Sequence, residues 1–308
     1  MRTDFYYPSC GYGMIHGCRW EPEGKPRAVL QIVHGIAEHV GRYDTFATFM
    51  ANQGFLVVAE DHMGHGGSIG DNGVPGYFAG GWFNAVADCH RLYSYTRMEQ
   101  PEIPYILLGH SMGSFLVRTM LIKYPKSNIN AAILVGTGWM HRGVINTSLA
   151  TTTLICKTMG AESHNKWLNN MLFSGNNRRV EHRRTAFDWL TRDDASVDAY
   201  LSDPLCGFSV TAGLLRDMLT SLRFNQEREN LLHMKKDLPV LFLSGSDDPV
   251  AGYGEGTTKA WQEFQRAGMK RADIRLYPLC RHELLNEINR EEIYNHILHW
   301  LCKQKVIE

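Results

Sequence analysis

Stretches of strand length that are apolar almost throughout recur along this chain, and between them the apolar residues switch to helical spacing. Ala28–Val33, Phe55–Ala59, Tyr105–Gly109 and Ala131–Gly136 are such stretches. A strand without polar alternation has both faces buried, and sheets buried on both faces are the parallel ones that helices cover. The intervening segments supply the covers. Arg42–Asn52 places Tyr43, Phe46, Ala47 and Met50 on one face, Trp82–Met98 reads as a helix, and Met112–Tyr124 carries Phe115, Leu116, Thr119 and Met120 in a stripe. After Gly136 the alternation stops. It resumes with a strand at Pro239–Gly245, a helix at Gly256–Ala267 closed by Gly268, a strand at Asp273–Tyr277 and a last helix at Glu291–Leu301. The pattern predicts an α/β fold, a mostly parallel sheet with helices on both faces. Phe5–Tyr7 and Met14–Trp20 add an antiparallel hairpin. The interruption from Thr137 to Asn225 is more polar, with short helical pieces such as Lys166–Phe173 and Ala186–Leu190. It reads as an inserted helical cap (137–225) on a core made of residues 1–136 and 226–308.

The chain has 308 residues, enough for one large domain or a core with an insertion. Its 32 basic and 32 acidic side chains cancel, so it carries no electrostatic footprint for nucleic acid or for an anionic membrane surface. The N-terminus, MRTDFYYPSC, lacks the apolar core of a secretory signal, and no apolar run approaches the length of a spanning helix. No stable membrane anchor is expected. The seven cysteines are odd in number and form no C-x-x-C pair, so they are expected as reduced thiols of a cytoplasmic protein.

The strongest chemical signal is Gly109-His110-Ser111-Met112-Gly113, which follows the apolar run Tyr105–Leu108 and opens an amphipathic helix. A G-x-S-x-G turn between strand and helix presents its serine above the sheet, and only glycine fits where the turn crowds its neighbours. Alone, the motif also reads as a Gly-Ser turn that caps a helix. A serine hydroxyl needs a base to take its proton. Two later loops supply an acid and a histidine at C-terminal strand ends, where open α/β sheets place their sites. Asp247 and Asp248 follow the strand ending at Gly245, and His282 follows the strand ending at Tyr277. Asp248 is favoured as the acid because Pro249 biases it toward an extended backbone. The oxyanion of an acyl transfer would be held by the N–H of Met112 and by the N–H of Ile36, in the loop His34-Gly35-Ile36-Ala37-Glu38-His39. The histidines His34, His39, His62 and His65 also cluster in sequence, but their spacing is not that of a zinc-binding H-E-x-x-H helix.

These motifs, with Asp61-His62-Met63-Gly64-His65-Gly66-Gly67-Ser68 and Arg281-His282-Glu283-Leu284-Leu285-Asn286-Glu287, resemble the monoacylglycerol lipase and lysophospholipase group, often given a serine aminopeptidase hydrolase label. The resemblance spans nearly the whole chain outside the cap. It departs at Met63, where many relatives carry Arg or another residue, in a loop whose role is architectural. It implies the α/β-hydrolase fold with an eight-stranded core, no cofactor and no metal, Ser111, Asp248 and His282 as a triad, and Ile36 and Met112 as oxyanion donors. The implied activity is a serine hydrolase acting on a monoacylglycerol, a lysophospholipid or a small acyl ester. Peptide or amide hydrolysis, and acyl transfer, would use the same triad. A catalytically silent ligand-binding protein is the alternative of a different class. No amine-binding acid is evident for an aminopeptidase.

The cap should decide the substrate. Its apolar residues Leu149, Leu154 and Ile155, then Trp167, Leu168, Met171, Leu172 and Phe173, sit on short helical pieces able to move on the core. Trp139, Trp167, Phe173, Phe187 and Trp189 are candidates to line an acyl channel. Cys280, two residues before His282, is either a site where a thiol reagent would displace the base or a buried, inert thiol. Acyl length, leaving group and oligomeric state have no signature in the sequence.

Overall fold

The computed structural model describes residues 1–71, 73–173 and 175–307. The side chains of Met171 and Leu172 lie outside that description. Eight strands form one sheet: β1 (Arg2–Pro8), β2 (Met14–Trp20), β3 (Ala28–Val33), β4 (Phe55–Glu60), β5 (Tyr105–His110), β6 (Ala131–Val135), β7 (Val240–Gly245) and β8 (Ala272–Tyr277). Their order is β1-β2-β4-β3-β5-β6-β7-β8. The β1–β2 and β2–β4 pairs are antiparallel, and the pairs from β4 to β8 are parallel. The parallel strands lie within one or two residues of the expected stretches, while β1 is longer than the expected Phe5–Tyr7.

The period of two along each strand sorts the core into two halves. Val29, Val33, Leu56, Val58, Tyr105 and Leu107 face one apolar cluster, and Leu30, Ile32, Val57, Ala59, Ile106 and Leu108 face the other. On the second side lie α1 (Asp44–Asn52), through Phe46 and Met50, and the C-terminal helix described below. On the first side lie α2 (Trp82–Glu99) and α3 (Met112–Lys123), through Trp82, Leu92, Leu116 and Met120. The expected helix from Arg42 starts as a single 3-10 turn, Val40–Tyr43, because the Asp61 carboxylate takes the Val40 N–H at 2.8 Å and the His39 ring takes that of Gly41.

Between β6 and β7 run α4 (Arg142–Met159), α5 (Lys166–Phe173), α6 (Asp194–Ser202) and α7 (Ala212–Gln226); α8 (Arg228–Leu232) leads into β7, followed by α9 (Glu255–Arg266) and α10 (Arg290–Lys303). Phe264 of α9 packs on the first side of the sheet, and Ile293, Ile297 and Leu301 of α10 on the second. The residues after Gly136 are therefore more helical than the short pieces expected. In α4 the stripe is masked by threonines, whose hydroxyls bond back to carbonyls one turn earlier, as Thr151 does to Thr147 at 3.0 Å. In α7 the buried leucines Leu214, Leu215, Leu219 and Leu222 are interleaved with buried Asp217, Ser221 and Asn225. The expected piece Ala186–Leu190 is only a 3-10 turn at Asp188–Leu190, because the Asp188 carboxylate is taken up by the N–H groups of Arg184 and Thr185.

Helix α7 is fastened to α3 by Asn225, which is fully buried. Its amide donates to the Phe115 carbonyl at 2.9 Å, its side-chain oxygen accepts from Thr119 at 2.9 Å, and its backbone carbonyl faces Arg118 at 3.3 Å. Replacing Asn225 with Leu removes both side-chain bonds and leaves the Thr119 hydroxyl and the Phe115 carbonyl to each other, 2.9 Å apart. A buried hydrogen bond lost in this way costs about 0.5–1.5 kcal/mol. The expected outcome is a loss of that order, read as a lower urea midpoint with an unchanged slope.

Candidate active site

Strand β5 ends in a turn that only small residues permit. A Cβ at Gly113 would lie 2.0 Å from the Val33 carbonyl oxygen, and one at Gly109 would lie 2.5 Å from that of Gly113. Ser111, between them, has φ 51° and ψ −120°, a conformation that an L-residue holds only when its surroundings impose it. Its N–H donates to the Val135 carbonyl at 2.9 Å, which ties the turn to β6. Met112 is the first residue of α3, so its N–H has no partner within the helix.

The loops after β7 and β8 bring Asp248 to His282. The imidazole Nδ1 lies 2.9 Å from each carboxylate oxygen of Asp248, and one of those oxygens also accepts the N–H groups of Val250 at 2.9 Å and Ala251 at 3.2 Å. Both residues are buried. Asp247 goes elsewhere: its N–H donates to the Cys280 carbonyl and its carboxylate accepts from Ser246. With Nδ1 donating to Asp248, the neutral ring keeps its lone pair on Nε2, the form a general base needs. Ser111, His282, Ile36 and Met112 all border one cavity of about 280 Å³. The expected oxyanion loop is thus beside the serine.

Glu38, His110 and Glu283, which stand in the motifs above without an assigned role, also border this cavity. The Glu38 carboxylate accepts from the Gly35 N–H at 2.5 Å and from the Tyr43 hydroxyl at 2.7 Å, and it faces His110 Nδ1 at 3.1 Å. The other ring nitrogen of His110 points at the His282 carbonyl, 3.3 Å away. Arg42 lies between two acids. Its guanidinium donates to Glu283 and stands 3.7 Å from Glu38, while its face covers the Tyr200 ring at 4.9 Å. The spacing of Glu38 and Arg42, one helical turn apart, and the position of Glu283 next to His282 are the signals that could have found this network; Tyr200 has none. Burial alone would raise the Glu38 pKa, but His110, Arg42 and Tyr43 outweigh it and hold the group down at about 2. Burial opposes the charge on His110, and Glu38 outweighs it, so its pKa is raised.

The candidate channel residues divide. Trp139, Phe173 and Trp189 line the cavity; Phe187 packs behind Trp189 in a small cluster with Tyr200, and Trp167 is exposed on the outer surface. Cys280 takes the second of its two expected forms. Its thiol is fully buried, bonds to Asn289 and is pushed up to about 11 by burial, so it offers a reagent no thiolate. The described cysteines are all free thiols. Of the clustered histidines, His34 and His62 stack at 4.0 Å and bond to one another's backbone, whereas His39 pairs with Asp203. In the Asp61 loop the carboxylate accepts from Val40, Gly67 and His16, an architectural role. Among the described residues no helix is long and apolar enough to cross a membrane.

This fold, with a serine on a strained strand-to-helix turn, is that of the α/β-hydrolases. A thermostable carboxyl esterase from Bacillus coagulans superposes with a TM-score of 0.91 over 99% of both chains, at 24% identity. The sequence model of the family described as "Serine aminopeptidase, S33" matches residues 24–289, and the chain belongs to that family. Monoglyceride lipase of Rattus norvegicus is 28% identical over 97% of this chain and 86% of its own length. Monoacylglycerol lipase of Mycolicibacterium smegmatis is 28% identical over 92% of this chain and 90% of its own. The protein is thus a hydrolase of the esterase and lipase kind.

The Glu38 charge should be visible in stability. Its pKa in the folded protein is below the ordinary 4.5, so the stability from its ionisation is complete above about pH 4.5 and lost as pH falls toward 2. Glu38→Gln is expected to cost a few kcal/mol at pH 7. Urea midpoints of the two proteins should converge as pH falls from 4.5 toward 2; a constant gap would contradict the charged assignment.

Proposed function

We propose that the protein hydrolyses carboxylic esters of single acyl chains, with monoacylglycerols as the main class and lysophospholipids or smaller acyl esters as the wider range. The observation that carries this reading is a cavity that Ser111 and His282 border together with two unlike sets of side chains. Phe115, Trp139, Met140, Met218 and Leu222 make one part apolar, and Glu38, His110, Tyr200 and Glu283 make another polar. An acyl chain fits the first and a hydroxylated leaving group the second. The relatives named monoglyceride lipases support the same class.

In the proposed reaction Ser111 Oγ attacks the ester carbonyl as its proton passes to His282 Nε2. Asp248 holds the imidazole and stabilises its cation. The N–H groups of Ile36 and Met112 receive the oxyanion. Collapse breaks the C–O bond to the alcohol, which leaves with the proton from His282. Water then attacks the acyl-enzyme with His282 again as base, releasing the acid and restoring Ser111. The segment 137–225 serves as a cap that closes the cavity. Neither cofactor nor metal has a part in this sequence of steps.

Ser111→Ala should lower kcat by on the order of 10⁶, His282→Ala by nearly as much, and Asp248→Asn by far more than Asp247→Asn. Labelling by a fluorophosphonate should vanish in Ser111→Ala; retained turnover in that variant would remove the mechanism, and undiminished ligand binding without turnover in the wild type would favour a silent binding protein.

A graded series of p-nitrophenyl esters tests the apolar arm. Each buried methylene contributes up to ~0.8 kcal/mol, about fourfold in binding. The expected profile is kcat/KM rising from acetyl into the medium-chain range, with monoacylglycerols outrunning aminoacyl amides. A falling profile would leave a small-ester hydrolase, and a preference for free-amine amides would point to peptidase activity.

A further inference from the structure

Three side chains of metal-binding type meet at a place that does not border the catalytic cavity. Glu60 ends β4, His62 stands two residues further on, and Cys89 lies in α2; all three are fully buried. One ligand atom from each lies within 4.8 Å of those of the other two, and His62 Nδ1 is 3.5 Å from Glu60 Oε1. The bonds around the imidazole decide what that contact is. Nε2 lies 3.1 Å from the His34 carbonyl, which can only accept, so Nε2 carries a proton. In the neutral ring Nδ1 is then a bare lone pair, and it faces a carboxylate oxygen, another acceptor. Neither atom has a hydrogen-bond partner, and both are shut off from solvent.

A proton shared between the two would draw them to about 2.7–3.2 Å, the span of an N–H···O bond. A tetrahedral zinc ion, with bonds of ~2.0–2.2 Å to nitrogen and oxygen, holds those atoms ~3.4 Å apart. The observed spacing fits the ion better than the proton. Cys89 Sγ would stand ~3.6 Å from both ligands in such a site, a movement of ~1 Å at most. The next layer of contacts is already in place. The His34 carbonyl fixes the tautomer that frees Nδ1, and the Tyr7 hydroxyl donates to the second oxygen of Glu60. The Gln31 amide holds the Cys89 carbonyl at 2.9 Å. Charge points the same way. A carboxylate alone is a costly buried anion, whereas a divalent ion with one carboxylate, one thiolate and one neutral imidazole has no net charge.

We propose that Glu60, His62 and Cys89 form a structural site for a divalent transition-metal ion, zinc by its ligand set, which ties the end of β4 to α2. Imidazole and thiolate select zinc over magnesium and calcium. As the sulfur–zinc bond forms, the Cys89 thiol gives its proton to solvent. The site has no part in ester cleavage, and the inference does not rest on that reading.

The test starts from protein produced with zinc in the medium and purified without chelator. After gel filtration, metal analysis should find about one zinc per chain, falling at least ~10-fold in Cys89→Ala and in Glu60→Gln. Cys18→Ala and Cys206→Ala, which remove the thiols of two other groups of metal-binding type, should retain it. Cobalt supplied in place of zinc should give a thiolate-to-metal charge-transfer band that is missing from Cys89→Ala. Removal of the ion, checked by metal analysis, should lower the wild-type Tm; an unchanged Tm would deny the structural role. A wild type without zinc, or as much zinc in Cys89→Ala, overturns the assignment. If neither site variant folds, the remaining proteins decide: a thiolate band that survives both Cys18→Ala and Cys206→Ala supports the site, and a band lost in either one overturns it.

Discussion

The contact on which the site depends is the one between the first turn of α3 and the end of β3. At Gly113 the helix backbone comes so close to the Val33 and His34 carbonyls that no side chain fits. That approach places the start of α3 over the sheet and forces the preceding residue, Ser111, into a conformation it would not choose. The cost of such a backbone is on the order of 1–3 kcal/mol and has to be met by the surroundings. Here they are the fully buried strands β3, β5 and β6, with the Ser111 N–H bonded across to Val135. Parallel pairing in register then brings the loops after β3, β5, β7 and β8 to the same edge. The helix N-terminus, the His34–His39 loop, Asp248 and His282 meet there for a topological reason.

A second layer holds these loops to one another. Glu38 binds the Gly35 N–H in its own loop and His110 beside the serine, and His110 reaches the carbonyl of His282. Arg42 extends the chain to Glu283 and Tyr200. Tyr200 returns to the first loop, its hydroxyl donating to the Ala37 carbonyl at 3.1 Å. These groups are almost fully desolvated, so each charge needs its partner, and removing one leaves the others exposed to the full desolvation penalty. The arrangement sets the position of the loops more narrowly than apolar packing would.

Most of the sheet was legible because its strands are apolar on both faces and end in glycine or in a loop with catalytic residue types. The expected segments differ from those observed by a residue or two, as at Pro239 against Val240. The serine turn, the acid pair and the histidine were legible for the same reason: strand ends are where a parallel sheet exposes backbone and side chains. What could not be read lies between β6 and β7. Helix α7 hides its stripe behind Asp217, Ser221 and Asn225, whose burial depends on partners in α3 that no local pattern reveals. Tyr200 entered no motif, and Glu283 stood in one without a role, because both meet Arg42 only across 158 positions (200 − 42) and 241 positions (283 − 42) of chain. Cys280 could be reactive or buried from its place in the sequence, and the packing of its loop, with Asn289 and Arg192 at the sulfur, makes it the buried one.

The two arms of the cavity are built from materials with different tolerances. The apolar arm between α3 and α7 is shaped by Phe115, Met218 and Leu222, and exchanges among apolar side chains of similar volume usually cost less than about 1.5 kcal/mol. Its length can therefore drift with little effect on folding. The polar arm offers no such latitude. It shares its charges with the network that holds the loops, and the covering segment is sewn to it through backbone bonds from His282 to Trp189 and from Glu283 to Leu190. Arg281 adds bonds to the carbonyls of Asp188 and Thr191 at 2.7 and 2.9 Å. A change of alcohol preference would have to alter a residue whose partner is a buried ion. Under the proposed orientation, then, acyl preference is separable from stability in this fold, whereas leaving-group preference is bound to it.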